Sequence, residues 1–493
     1  MKSRIHYTCI ACVCAVFGLS SMASGQRIVH VSPTEFGILN RVIANDTLGN
    51  GERVDPNTIY ELERGPYAYY VLSSSIKNNG YHLTIVAEDG DGERPKIVPG
   101  VVSGGESSRC FRPSSDLTLK GLYVTNVDQS GAWFPKNIIR LQGEGIRLVV
   151  DDCHLDGDIQ SHVRFDAHDQ RVFITNSVLS NSLYNGRSLD RRGNRVDTLV
   201  VENCTFYNLI SEVVREGDSG FVRYFKFNHN TVVNVGVEFC EIGETVTCIF
   251  TNNLIVNTGF FGDRTDTPGS NHILEIFPIT SWQLAGLTQT IEFRNNNFYT
   301  DSEIIETQAN LVLDGFEIRP LPMIDDVGNA LVDTSQFIHE RIPFTTGPSL
   351  DTTLNIIRVV WEDHDGDKDF ASPFDNRNVG SFGEEGFGTV PFDFSYPAST
   401  LSYTSADGNL PLGDLNWFDI EISEGRKGDV DGNGDVDVLD VLSVVNHILG
   451  TVPITDPDAL WRADCNDDDQ VNVLDALGIV NVILGSGECA SGN

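Results

Sequence analysis

Leu199-Val-Val201-Glu-Asn203-Cys204-Thr-Phe206-Tyr-Asn208 joins a short apolar run to a turn and returns to an apolar residue, Phe206, five places after Val201. The same phrase recurs at Leu117-Thr-Leu119, Leu148-Val-Val150, Val172-Phe-Ile174, Phe225-Lys-Phe227, Cys248-Ile-Phe250 and Ile291-Glu-Phe293, with Val124, Leu155, Leu179, Val232, Ile255 and Phe298 in the place of Phe206. Taking Leu122, Cys153, Ser177, Cys204, Asn230, Asn253 and Asn296 as equivalent points, the steps are 31, 24, 27, 26, 23 and 43 residues. Repeats of this size, β-rich and without helical period, imply strands stacked in a solenoid. Two ladders sharpen the reading. Asp152, Asn176, Asn203, His229, Asn252 and Asn295 stand just before the equivalent point, and Asn126, Asn181, Asn208, Asn234 and Asn257 four places after it. Asn tolerates the left-handed turn conformation and can bond to its own kind in the neighbouring coil.

The pattern resembles a right-handed parallel β-helix of the pectate-lyase type over about 80–300. The expected architecture is mainly β: a parallel β-helix with an N-terminal cap over 26–300, then an irregular β-rich C-terminal cap over 301–425. Leu83-Thr-Ile85 and Leu311-Val-Leu313 are expected to add one coil at each end. Phe392-Asp-Phe394 and Leu412-Gly-Asp-Leu-Asn-Trp417-Phe are expected to wrap the end of the solenoid, whose last apolar layer and open strand edge need cover. Cys153 and Cys204 share a coil position two coils apart. At ~4.8 Å per coil their backbones stand ~9.6 Å apart, too far for a disulfide, so both read as reduced core residues.

Loops leaving equivalent points stack on one flank, and the long ones after the second ladder are the natural walls of a site. Twelve of the 34 basic residues fall within 136–226 of an otherwise acidic chain. Arg187, Arg191, Arg192 and Arg195 share one loop; Glu212, Arg215 and Glu216 follow in the next, then Glu238 and Glu241. His162, Arg164, Asp166 and His168 precede them. A basic cleft edged by carboxylates suits an anionic polysaccharide: Arg neutralises a uronate, and Glu holds Ca²⁺ or moves a proton. Arg187, Arg191, Arg215, Glu212, Glu216 and Glu241 are therefore the candidate catalytic residues; the same charges could equally form salt bridges between loops. Calcium-dependent β-helix lyases, such as the chondroitinase and alginate lyase relatives, pair a Lys base with an Arg beside Asn/Glu metal ligands. No Lys lies among these loops at a matching motif, although the register of Lys226 faces outward towards a groove. A hydrolase of the polygalacturonase type would need clustered Asp, of which only Asp151-Asp152 is present.

Near the C-terminus one acidic loop occurs twice, 35 residues apart. The first copy offers Asp429, Asp431, Asn433, Asp435, Asp437 and Asp440; the second offers Asp464, Asn466, Asp468, Gln470, Asn472 and Asp475. Oxygen ligands at this spacing wrap a hard cation such as Ca²⁺, and each loop runs into an apolar helix, Val441–Leu449 or Ala476–Leu484. Over about 428–486 this resembles the type I dockerins. The resemblance implies a small α-helical domain, two calcium ions, and a cohesin-type module or scaffold protein contacting Val438, Leu439, Val473 and Leu474. A third calcium loop is possible at Asp363-His-Asp365-Gly-Asp367-Lys-Asp369.

The chain starts like an exported protein. Lys2 and Arg4 precede an apolar run to about Leu19, and Ala23-Ser-Gly25 offers small residues for cleavage, so 1–25 reads as a signal peptide. No later stretch is apolar enough to span a membrane. The net charge of −36 argues against nucleic acid and anionic membranes as partners. Beyond the leader seven cysteines remain, and Cys465 and Cys489 could clip the second acidic loop and its helix. These features together suggest a secreted, extracellular or cell-surface protein acting in polysaccharide breakdown, as a lyase or a glycoside hydrolase. The alternative is a non-catalytic carbohydrate-binding, adhesive or structural surface protein.

Overall fold

The turn ladders fix the path of the chain. In the structure, a computed structural model, Asp152, Asn176, Asn203, His229, Asn252 and Asn295 all have positive φ, as do Asn181, Asn208, Asn234 and Asn257. Asn pays little for this conformation. Where Asn is missing, glycine takes over: Gly121 (φ 72°) stands at the first corner and Gly157 (φ 76°) at the second. Asn126 does not join the ladder. Its amide instead bonds the carbonyls of Phe134 and Lys136 and holds the next loop.

The structure describes residues 27–490 except 103–104, 107–109, 129–130, 135, 184–185, 217–219, 267–270, 314, 326–327, 365, 367–389, 421–425, 432–435, 451–453, 455–456 and 468–469. The leader 1–25 lies outside the described residues, as do Asp365, Asp367 and Asp369 of the possible third calcium loop. The chain divides into two units, Met1–Phe418 and Asp419–Asn493.

The described residues of Met1–Phe418 form a parallel β-helix with three faces. The first sheet stacks Ile28–Val31, Ile59–Leu62, Leu83–Ala87, Leu117–Lys120, Arg147–Asp151, Gln170–Thr175, Val196–Glu202, Phe221–Asn228, Cys240–Thr251 and Thr290–Arg294. The second runs from Ala68–Val71 through His154–Asp158 and Thr205–Leu209 to Asn297–Tyr299. A third consists of Ile139–Leu141, Ser161–Phe165, Arg187–Asp190, Val214–Arg215, the start of Cys240–Thr251, and Leu274–Phe277. The long strand Cys240–Thr251 rounds a corner and so belongs to the first and third sheets alike.

Register follows the repeat. Leu148, Val172, Leu199, Phe225, Cys248 and Ile291 pair in line along the first sheet, and the residues five places after each run all enter one core. Its later coils are a column of rings: Phe227 stacks on Phe250 at 5.2 Å, Phe250 on Phe293 at 4.7 Å, and Phe337 closes over Phe298 at 4.7 Å. At the equivalent point the side-chain oxygens of Ser177, Asn230, Asn253 and Asn296 accept from the backbone N–H of Cys153, Cys204, Asn230 and Asn253 respectively. This inner ladder satisfies donors that the corner would otherwise leave buried and unpaired. Cys153 and Cys204 are buried free thiols, as are Cys110, Cys240 and Cys248.

Four expectations change. The N-terminal extension is longer than one coil, because Ile28–Val31 and Ile59–Leu62 continue the sheet beyond Leu83–Ala87, and helix Ile38–Asn45 buries Leu39 and Ile43 in the core. Leu311-Val-Leu313 forms no strand: it follows helix Ser302–Ala309, and its Leu311 and Leu313 pack with Phe260, Phe261 and Trp361. The final coil is made by Ile338, bridged to Asn297. The described part of 301–418 carries two α-helices, Ser302–Ala309 and Leu350–Arg358, with short helical turns, and only Ile318–Arg319 is a strand. Its last segment lies along the flank and not over the end. The second sheet turns Tyr207, Val233, Leu254 and Val256 outward, and Phe394, Tyr396 and Leu412 cover them. Asp414 accepts from Thr205 Oγ1 at 2.7 Å, and Trp417 Nε1 donates to the same hydroxyl across 212 residues.

Asp419–Asn493 contains helices Val438–Ile448, Pro457–Ala463 and Val473–Ile483 around Val444, Ala463, Cys465, Ala476 and Ile479. A disulfide joins Cys465 to Cys489.

Candidate functional site

On the third sheet Ile139, Val163, Leu189, Val214, Cys240 and Leu274 stand in register and face the core. Strand alternation turns the next residue outward. Arg140, Arg164, Asp190 and Arg215 form one row, and Glu241 pairs with Glu275 beyond them. The face therefore changes sign along the solenoid, cationic in its earlier coils and anionic in its later ones. Ion pairs lace it together: Asp166 holds Arg140 and Arg164, Arg187 meets Glu212 at 3.1 Å, and Arg215 meets Asp190 at 3.7 Å.

At the anionic end Glu212, Glu238 and Glu241 come from two adjacent coils and bring one carboxylate oxygen each within 4.8 Å of the others. Glu275 stands beside them, its carboxyl pushed up to about 8 by burial and by Glu241, Glu238, Glu216 and Asp325. Like charges crowded in a half-buried place favour either a proton or a cation. Three hard oxygen donors with this charge fit a divalent ion of the calcium kind.

The structure thus gathers Arg187, Arg215, Glu212 and Glu241 along the third sheet. Arg191 and Glu216 are not with them. Two places after Leu189 and Val214, they take the inward position held by Leu141, Phe165, Ile242 and Ile276 in other coils. Arg191 has no exposed surface and donates Nη2 to the Ile242 carbonyl at 3.0 Å; burial lowers its pKa, and Glu216 opposes that shift. The Glu216 carboxyl is pushed up to about 7, chiefly by burial, and the residue's backbone N–H donates to Glu241 Oε2 at 2.8 Å. Gly243 (φ 66°) makes room for it, since a Cβ there would come within 2.2 Å of Glu216 Oε2. Glu275 was missed in the sequence because its strand hides in the longest loop, although Leu274-Glu-Ile276 repeats the phase of Cys240-Glu-Ile242.

Other candidates are placed elsewhere. Buried His162 bonds Ser188 and the Ser180 carbonyl, and burial lowers it to about 4. His168 accepts from the Arg195 N–H, and Arg195 pairs with Asp169 at 2.8 Å. Lys226 does not reach a groove: it lies on the first sheet, buried, 3.1 Å from Glu202. His229 keeps its ladder role and bonds the Gly413 carbonyl.

In the second unit the last carboxylate of each acidic loop turns back on its own loop. Asp440 accepts from the N–H groups of Val430, Asp431 and Asp437, and Asp475 from those of Asn466 and Asn472. Each also closes a capping box, with Asp437 or Asn472 as N-cap. A Glu there would be one methylene too long for the same bonds, which gives a local reason for Asp. Oxygens of Asp429, Asp431 and Asp440 lie within 4.8 Å of one another. Asn433, Asp435 and Asp468 lie outside the described residues. The loops are also cross-tied: Lys427 donates to the Asp464 carbonyl at 2.7 Å, and Arg462, 35 residues on, donates to the Val430 carbonyl at 3.3 Å. Val438 (70%), Leu439 (52%), Val473 (68%) and Leu474 (57%) are exposed in matching pairs.

The family model for the dockerin type I domain matches residues 427–484. This segment is a type I dockerin. Domains of the family bind calcium in general. No curated protein matches the chain. Among solved structures, a mutant of the PL6 family alginate lyase AlyGC is similar at 17% identity with a TM-score of 0.33, over 56% of this chain and 40% of that one. The chain thus spans two fifths of that protein's length. No described helix is long and apolar enough to cross a membrane.

Proposed function

We propose that this is a secreted polysaccharide-degrading protein, tethered by its dockerin to a cohesin-bearing partner, whose third sheet binds and cleaves an anionic polysaccharide. The observation that carries the reading is the approach of Glu212, Glu238 and Glu241, with Arg187 on Glu212, beside the third-sheet row that holds Arg215. In a uronan the proton next to the carboxylate must be acidified before the glycosidic oxygen can leave. Arg215 and Arg187 offer guanidinium groups to that carboxylate, and charge placed there in advance stabilises the carbanion as it forms. A calcium ion held by the three glutamates would add positive charge against the same carboxylate. On the dockerin, the exposed Val438-Leu439 and Val473-Leu474 pairs are the surfaces offered to the cohesin.

One observation favours a binding protein without catalysis: among the described residues no lysine stands on the third sheet, and Lys226 is engaged elsewhere. A single experiment separates the readings. The full chain is incubated with uronic-acid and neutral polysaccharides, with calcium or with chelator, and ultraviolet absorbance and reducing ends are followed. A lyase gives absorbance with an anionic glycan, lost on chelation and in Glu238→Gln. Reducing ends alone mean hydrolysis, and silence on both with retained glycan binding means a binding module.

A further inference from the structure

The loop joining Leu274–Phe277 on the third sheet to Thr290–Arg294 on the first carries a short 3₁₀ turn, Trp282–Leu284. Trp282 is 81% exposed. A solitary apolar side chain on a surface is ordinary, but three features set this one apart.

The loop beneath it is clamped. The Glu244 carboxylate accepts from both the backbone N–H and the hydroxyl of Thr280 and of Ser281, the residue immediately before the tryptophan. Gln289 Nε2 ties the far side to the carbonyls of Thr245 and Phe277 at 3.0 and 2.9 Å, and Leu284 is fully buried. Structure on both sides therefore holds the indole out in solvent. The anchor also belongs to the candidate site. Glu244 lies three residues beyond Glu241 on the strand Cys240–Thr251, at most roughly 10 Å away at ~3.3 Å per residue, and Leu274–Phe277 pairs with both, Glu275 with Glu241 and Phe277 with Glu244. Finally, residues 278–290 contain no charged side chain in a chain that is 21% charged and strongly acidic. The loop itself thus adds no like charge against an anionic glycan, beyond the Glu244 carboxylate already engaged beneath it.

We propose that Trp282 is a stacking platform for a sugar ring at the edge of the third-sheet face, a few sugar units from Glu212, Glu238 and Glu241. It rests on the function proposed above and adds that the site grips an extended glycan. The carboxylates go to the arginines, and the apolar C–H face of a more distant pyranose lies on the indole, whose negative face attracts those hydrogens. Short oligosaccharides fill the centre alone, and only longer ones reach the tryptophan.

The test uses the full chain with calcium and size-graded oligosaccharides prepared from polyguluronate, polygalacturonate and chondroitin. Cleavage is read as KM and kcat, and binding as tryptophan emission. Parent KM is expected to fall with chain length. Trp282→Ala should raise KM about tenfold for long substrates, the order expected of an aromatic contact, with kcat and the shortest substrates unchanged. Trp282→Phe should restore most of the loss. Because the side chain is exposed, both variants should keep the parent melting temperature. If Trp282→Ala matches the parent at every length while Glu241→Gln abolishes turnover, the platform is wrong and the function stands. If the parent neither cleaves nor binds any of these glycans, both are overturned.

Discussion

Arg191 and Arg187 lie four residues apart, and both have the phase of inward Leu189, yet they meet different partners. One is sealed against Glu216 and the Ile242 carbonyl; the other reaches Glu212. Composition gathers both into one basic cluster, and neither spacing nor strand alternation tells them apart. Asp414 makes a sharper case. Fully buried, it accepts from Thr205 and from the Asn416 N–H, and burial pushes its carboxyl up to about 7. The folded protein therefore keeps a proton that the unfolded chain loses near pH 4, and this contribution to stability declines as pH rises towards about 7. Asp414→Asn is neutral throughout: its one carbonyl oxygen can keep the Asn416 N–H, and its amide N–H can donate to Thr205 Oγ1 in place of the bond the carboxylate accepted, so it should flatten that part of the profile. The check is the melting temperature of variant and parent across the window; parallel curves would mean that the group stays charged when buried.

At the scale of the element, the inner ladder is the structural unit. Asn253 Oδ1 accepts from the N–H and Nδ2 of Asn230, while its own Nδ2 serves the Phe227 carbonyl and Asn296. Asn253→Ala strands several buried groups at once, and the expected loss is about 3 kcal/mol by chemical denaturation. A loss below about 1 kcal/mol would mean that water replaces the amide. The first two sheets were legible in the sequence because left-handed corners select Asn and Gly at fixed distances from apolar triplets. The third was not. Its strands Ile139–Leu141 and Val214–Arg215 are very short, and the loops before them vary in length. The site was legible as a cluster of charge on neighbouring coils, whereas Glu275, at the far end of a long loop, needed the register. Nor could local pattern show that Phe394 and Leu412 pack on Tyr207 and Leu254, since those contacts join distant parts of the chain.

At the scale of the molecule, two units should answer calcium differently. Chelator is expected to melt the dockerin, whose loops close on Asp440 and Asp475, and to leave the β-helix folded. Calorimetry should show two transitions, with Asp440→Ala plus Asp475→Ala removing the calcium response of the smaller. A residual rise of the larger transition with calcium, absent in Glu238→Gln, would report an ion held by Glu212, Glu238 and Glu241. A single transition that ignores calcium would contradict both assignments.

The segment laid along the second sheet also sets a timetable. Thr205 leaves the ribosome 212 residues ahead of Trp417, its partner. At roughly 5–20 residues per second that is a delay of roughly 10 to 40 s. Through that interval the nascent coils can stack on one another while Tyr207, Val233 and Val256 wait bare. The stretch of synthesis most in need of a chaperone thus falls between a solenoid already wound and a strap not yet made.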